Sequence, residues 1–350
     1  MAVGAVGGVW LGVGQVAAHA GDYLATREAS ASTTARALTP EVLPRAHLAV
    51  VVAPTVVVNN VFGAPDDELL APLGTTRVTR AKLNHGGTSL SLRIDYANGA
   101  RASFKPEQIH PQSDPRREIA AYRIDRLFGL GHVPPAKETT IAVKDLLEVS
   151  EPGYRAYYSA RLFDEATIRN GHVYGELSWW IPEIKLAKIG AHRIDERVGR
   201  EIWTAHLQVG APIPPELRSI LAQISTCILF DVLIDNADRW SGSNTQMSPD
   251  GKLLYFMDNS MAFSIARYGH EVNVGAMRRI QVFSRGFVQR LRDLSQETVV
   301  TTLAPASDSK LGPLINPTEI RALIARRDNM LRYIDQLIAR FGEDAVLAFP

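Results

Sequence analysis

Near the middle of the chain an apolar run from Cys227 to Ile234 leads straight into Asp235, Asn236, Asp238, Arg239 and Asn244. Asp258 follows twenty residues after Asp238, at the end of the apolar stretch Leu253–Met257. A hydrophobic lead-in fixes a loop in place. Two acids and an amide delivered from such loops suit metal-assisted phosphoryl transfer, one acid for the attacking hydroxyl and one for the metal. Asp235 and Asp238 compete for the first role. Asp231 lies inside the apolar run, where a carboxylate must be paired. It reads as a brace that accepts backbone hydrogen bonds under the loop. Arg239 reads as a second brace through ion pairing, and Asp235 is expected to face solvent.

A further set lies upstream. Gly86 and Gly87 sit in a turn of small residues, Lys105 near the end of a strand, and Glu118 on the helix that follows. A glycine turn lets backbone amides approach phosphates with no Cβ in the way. A strand lysine supplies a point charge for phosphates. A helix glutamate can hold that lysine or help with a metal. Each piece alone has a bland reading: Gly86-Gly87 and His85 as a plain turn, Lys105 as a solvated side chain. The order Gly86-Gly87, Lys105, Glu118, Asp238 with Asn244, Asp258 carries the case.

The elements that must position these residues are legible in the pattern. Ser89 to Tyr96 alternates as a half-buried strand. Asn98-Gly99 predicts a type I′ hairpin, and Arg101 to Lys105 is the return strand. Asp114 suits an N-cap and Pro115 a first helical position. The helix then runs through Glu118 to Phe128. A strand is expected at Thr139–Val143, then a hairpin through Glu151-Pro152-Gly153 to Tyr154–Leu162. Helices are expected at 191–208, 215–234, 273–292 and 317–341. Trp179-Trp180 reads as core packing. Arg116-Arg117, Arg278-Arg279 and Arg326-Arg327 read as solvated faces. The order predicts an α+β protein, a β-rich part with one helix and then a helical part, with a cleft between them as the natural ligand site.

The 350 residues, 46% hydrophobic, suffice for one large domain or two lobes. The net charge of +1 comes from scattered basic residues, so the footprint of a nucleic-acid binder is missing and no nucleic-acid partner is expected. The nine histidines show no metal-ligand spacing. Cys227 is the only cysteine; it cannot form an intrachain disulfide and reads as a core residue. Residues 2–18 carry no charge and run into Ala18-His19-Ala20-Gly21, a small-x-small cleavage pattern that lacks only a basic start. Residues 1–20 are therefore expected to be a signal peptide, giving an exported (periplasmic or secreted) protein, or a cytoplasmic one if they are not. Residues 21–60 read as a tether. No further stretch is expected to span a membrane.

Four collinear blocks resemble the secretory-pathway atypical kinases, the group that includes the Golgi casein kinase and the Golgi xylose kinase. They are Gly99 to Pro106 with Phe104-Lys105-Pro106, Glu118 to Leu127 with Val133-Pro134-Pro135, Phe230 to Arg239, and Met257-Asp258-Asn259 with Ala262-Phe263. The resemblance implies a two-lobed protein-kinase-like fold, ATP as donor, and Mn²⁺ or Mg²⁺. It implies lobes at 61–165 and 166–350. It makes Lys105 the phosphate-binding lysine and Glu118 the helix glutamate that also approaches the metal. Asp238 becomes the catalytic aspartate, which decides against Asp235, and Asp258 the metal aspartate, with Asn244 helping to hold nucleotide and metal. The family has His where Trp240 stands and Gly where Ser260 stands, and residues 164–214 match none of its motifs. The expected activity is transfer of a γ-phosphoryl group to a hydroxyl of a protein or carbohydrate acceptor. The alternatives are a pseudokinase that binds nucleotide or a partner, and a phosphoinositide-kinase-like or HipA-toxin-like branch.

Overall fold

The computed structural model describes residues 60–84, 88–241 and 244–350. The expected signal segment, nearly all of the tether, and the turn with His85, Gly86 and Gly87 lie outside the described residues.

The sheet is built from β1 (Val78–Leu83), β2 (Leu92–Tyr96) and β3 (Arg101–Pro106). After the helix α1 (Pro115–Leu127) come β4 (Ala136–Ala142), the helix α2 (Arg155–Glu165) and β5 (His172–Trp179). The order across the sheet is β1-β2-β3-β5-β4, all antiparallel, with the short pair Ile168–Arg169 alongside β5. Alternation decides which face each side chain takes. Leu92, Ile94, Ala102, Phe104 and Leu177 are fully buried in one core cluster. Burial of a side chain such as Phe104 is worth roughly 1.5–3 kcal/mol. Lys105 and Glu176 fall on the opposite face, paired in register across β3 and β5. The sheet thus extends to Trp179, past the 165/166 boundary read from the sequence.

The helical part follows as α3 (Arg197–His206), α4 (Pro215–Ile234), α5 (Glu271–Arg278), α6 (Arg285–Asp293) and α7 (Pro317–Phe341). The second half of helix α4, residues 227–234, is buried on every side, and its sequence is apolar nearly all round, as such a stretch must be. The whole helix is also long and apolar enough to cross a membrane, against the expectation, with two thirds of that stretch (67%) buried inside the protein. Helices α4 and α7 keep the expected bounds. Three expectations are corrected. The Asn98-Gly99 hairpin exists, but only Gly99 has positive φ (82°), and Tyr96 and Ala100 pair around a three-residue loop. The Asn98 side chain bonds Pro72 O and Ala100 N, which fits a type I turn with glycine at its left-handed end. Residues 155–165 are helical rather than a strand, because Tyr158 and Leu162, four apart, bury one helix face. The helix expected at 273–292 is broken at Ile280–Phe283, where three side chains enter the core and Ser284 caps a new helix.

Candidate active site

Lys105, Glu118 and Asp258 come from a strand, a helix and a loop, and meet at one point. Strand alternation turns Lys105 away from Phe104. The Asp114 cap and Pro115 start α1 so that Glu118 falls in its first turn. Asp258 follows the short strand Leu254–Tyr255 and adopts a left-handed conformation (φ 58°), open to an aspartate at modest cost. Lys105 Nζ donates to Glu118 Oε1 at 2.5 Å and to Asp258 Oδ1 at 2.7 Å, across 153 residues of chain. Asp258 Oδ1 also accepts from Ser260 Oγ at 3.1 Å. Burial alone would lower the Lys105 ammonium, but the charges of Asp258 and Glu118 raise it above its ordinary range. The same lysine holds the Asp258 carboxyl below the usual carboxylate range. Both Glu118 oxygens accept from Asn259 N, at 3.0 and 2.9 Å, so the helix is tied to the loop.

Asp238 sits in the loop after α4. Asn244 Nδ2 donates to its Oδ2 at 2.6 Å, and Ser241 Oγ bonds its Oδ1. Asn244 therefore stands against Asp238. Beneath the loop, Arg239 is 1% exposed and reaches three acceptors: Asp231 Oδ1 at 3.2 Å, Asn259 Oδ1 at 2.6 Å and Met257 O. Burial pushes the Asp231 carboxyl up to about 6. Asp231 is thus the expected brace, with an arginine as partner. Asn236 Nδ2 links the same loop to Asp258 O at 3.0 Å. Trp240 is buried and packs against Trp203 at 5.8 Å between ring centroids. Asp235 is not solvent-facing: it is buried at the left-handed end of α4 (φ 58°), where it accepts from His270 N and Ser264 Oγ. Arg326 is likewise buried, donating to the carbonyls of Leu233, Ser264 and Ala266.

A cavity of about 210 Å³ opens over the lysine. Its lining combines the apolar side chains of Val133, Ala136, Trp179, Ile181 and Ile184 with the charged ones of Lys105, Glu118, Glu176 and Asp258. Trp179 and Trp180 are half-buried walls of this cavity, and Trp179 also packs against the core of the sheet. Glu176 was not singled out by sequence reasoning. Its one signal is an acid at a position where strand alternation after Gly175 predicts an inward side chain. It is 1% exposed, and burial and then the Glu118 charge push its carboxyl up to about 8. Carboxylate oxygens are the hard donors that Mg²⁺ and Mn²⁺ prefer. Among the described residues no three acids or histidines are grouped to cage an ion unaided. That fits an ion held by one or two carboxylates together with phosphates.

No family model matches the chain. It is 21% identical over 310 residues to human glycosaminoglycan xylosylkinase, covering 79% of this chain and 76% of the relative. It is 22% identical to the human extracellular serine/threonine protein kinase FAM20C (80% and 56% covered) and 22% to the human pseudokinase FAM20A (82% and 60%). The chain thus spans little more than half of these last two. The fold matches that of the Golgi casein kinase crystallised with Mn/ADP bound, with TM-score 0.63, 16% identity and coverage of 81% of this chain and 78% of that one. The chain is a homologue of the Fam20 kinases and has a kinase-like α+β fold.

Proposed function

We propose that the protein is a metal-dependent kinase that moves the γ-phosphoryl group of ATP to a hydroxyl of a protein or carbohydrate acceptor. The observation that carries this reading is the meeting of Lys105, Glu118 and Asp258 in the wall of a cavity that apolar side chains also line. The apolar side chains suit a base and the charged ones its phosphates. Glu118 and Asp258 are the residues that would hold Mn²⁺ or Mg²⁺, which when bound neutralises charge on the phosphates. Lys105 neutralises phosphate oxygens directly. Asp238 orients the acceptor hydroxyl and takes its proton. Asn244 and Ser241 fix the Asp238 carboxylate in one orientation, and Arg239 fixes the loop that carries it. Gly86 and Gly87 are assigned to the phosphates on sequence position alone. The FAM20C relative is named as extracellular, and with the uncharged segment 2–18 this supports export as the reading for the N-terminus.

The test is a thermal-shift titration of the full chain with ATP, with and without Mn²⁺ or Mg²⁺. A ligand at 100 times its dissociation constant adds about 2.7 kcal/mol of stability. The expected result is a metal-dependent shift that Asp258→Ala abolishes. No shift with any nucleotide and metal sinks the reading.

A second reading, a nucleotide-binding pseudokinase, is favoured by Trp240 in place of the family's histidine and by the FAM20A relative. Turnover lost in Asp238→Asn with nucleotide binding intact decides for the kinase. Separate assays with lipid headgroups and for autophosphorylation test the phosphoinositide-kinase-like and HipA-toxin-like branches.

A further inference from the structure

Beside the Asp238 loop lie charges that the nucleotide cavity does not use. Two cavities, of about 350 and 510 Å³, share Arg200 of α3 and Arg279 at the end of α5. The first is walled also by Trp203, Trp240, His270 and Val272, the second by Arg197, Glu201 and Thr204. None of these residues lines the cavity over Lys105. Trp240 stands where the family has histidine, so this wall is the chain's own. It holds both ends of the loop. Arg200 Nη2 donates to Trp240 O at 2.6 Å, two residues after Asp238. His270 N donates to Asp235 Oδ1 at 2.6 Å, three residues before it.

The charge of the wall selects the ligand. Arg200 is fixed by two backbone carbonyls, Asp195 O at 2.9 Å and Trp240 O, and meets no carboxylate among the described residues. The Arg279 side chain is exposed and has no hydrogen bond or ion pair among them. Arg197 is already paired with Glu201 at 2.8 Å, which leaves Glu271 as the one unpaired carboxylate in either lining. Two unbalanced guanidiniums thus face one carboxylate. A metal cation there would be repelled, and an apolar group would leave the surplus in place. A guanidinium fork fits two oxygens of a phosphate, sulfate or carboxylate.

We propose that Arg200 and Arg279 form an oxyanion site, for a phosphate, sulfate or carboxylate group, beside the loop that carries Asp238. The oxyanion is either free in solution or carried by the acceptor. The site rests on its own lining; its effect on turnover rests on the kinase reading.

The experiment is titration of the full chain with inorganic phosphate, without metal or nucleotide, at an ionic strength held constant with chloride so that screening does not change. Tryptophan fluorescence reads it, because Trp203 and Trp240 line the cavity. Wild type, Arg279→Gln and Arg279→Lys are compared, with circular dichroism checking that each is folded. The expected result is a saturable change in the wild type. Affinity should fall about tenfold or more in Arg279→Gln, and less in Arg279→Lys, which keeps the charge but not the fork. No saturable change overturns the proposal, and so does equal affinity in the wild type and Arg279→Gln. If Arg279→Gln does not fold, Arg279→Lys decides by the same comparison. Turnover with casein, which carries carboxylates, and with methyl β-xyloside, which carries none, separates the sources. Phosphate that competes with casein alone, and less in Arg279→Gln, puts the oxyanion on the acceptor. Phosphate that changes kcat with either acceptor at saturation, and less in Arg279→Gln, makes it a free ion. Phosphate without effect on turnover overturns the link to Asp238. A wild type without metal-dependent ATP binding overturns the kinase reading and leaves the site to the phosphate titration.

Discussion

Two ionic clusters touch the segment around Asp258, and each sets one basic side chain against carboxylate. Under the Asp238 loop, Arg239 faces Asp231, and its guanidinium reaches a carboxylate, an amide oxygen and a backbone carbonyl. One positive charge meets one negative charge, and both are buried. In the cleft, Lys105 faces Glu118 and Asp258, with Glu176 alongside and one of its oxygens unpartnered. The first cluster is balanced and saturated, as a strut should be. The second carries surplus charge and opens to a cavity, with the Asp258 side chain 45% exposed. The contrast separates bracing from binding. A satisfied buried ion pair holds shape, and an unsatisfied one marks where a ligand completes the structure.

Removing the reacting group should have the largest effect. Asp238→Asn should lower turnover by about 10²–10⁴-fold, the usual worth of a positioned general base, while nucleotide affinity changes little. Initial rates of ADP release with a responsive acceptor measure this, and unchanged rates would move the base elsewhere. Breaking the strut should cost folding instead. Arg239→Ala leaves Asp231 buried and uncompensated, for which a loss of about 3–5 kcal/mol is expected in urea unfolding. Replacing both partners by apolar residues should recover much of it. If the single and double variants are equally unstable, the pair does not act as a strut.

Gly175→Ala should be milder: its Cβ would press on Lys105 O, and the strand can shift to relieve that contact. A loss of roughly 1–3 kcal/mol is expected from overpacking, with weaker nucleotide binding because β5 carries a wall of the cavity. An alanine variant with unchanged unfolding would mean that β3 and β5 have slack.

The last effect is a slope rather than a single loss. The folded-state value for Glu176 is about 8, above its ordinary range. Over the window between that range and pH 8, the folded protein keeps a proton that the unfolded chain gives up. Stability therefore falls as pH rises through the window. Glu176→Gln should flatten the fall of Tm between pH 5 and 8 in cation-free buffer. Parallel curves for the two proteins would show that Glu176 does not titrate in this range.

Much of the frame was legible because local rules govern it. Alternation places Leu92, Ile94 and Phe104 on the buried face and Lys105 on the other. The Asp114 cap and Pro115 fix the start of α1, and with it Glu118. Helices α4 and α7 declare their bounds by proline starts, and α7 by a capping box at Asn316 and Glu319. What was not legible depends on distant partners. Asp235 and Arg326 look solvated in sequence, yet each is buried by contacts from elsewhere in the chain, Asp235 with His270 and Arg326 with the carbonyl of Leu233. Glu176 looks like one acid in an apolar strand until the sheet sets it against Lys105. Tyr158 and Leu162 fit a strand or a helix in so short a run, and the helix wins because both then reach the same core.

Glu118 has one more consequence. Asn259 N donates to both of its oxygens, Asn259 Nδ2 adds a bond at 3.3 Å, and Asp114 N at the head of the helix bonds Ser260 O at 3.3 Å. In ordinary protein kinases the corresponding helix swings in and out, and that swing sets whether the lysine–glutamate pair exists. Here the swing would tear the helix from the very loop that carries Asp258. An outward posture of α1 would cost these contacts as well as the Lys105–Glu118 pair.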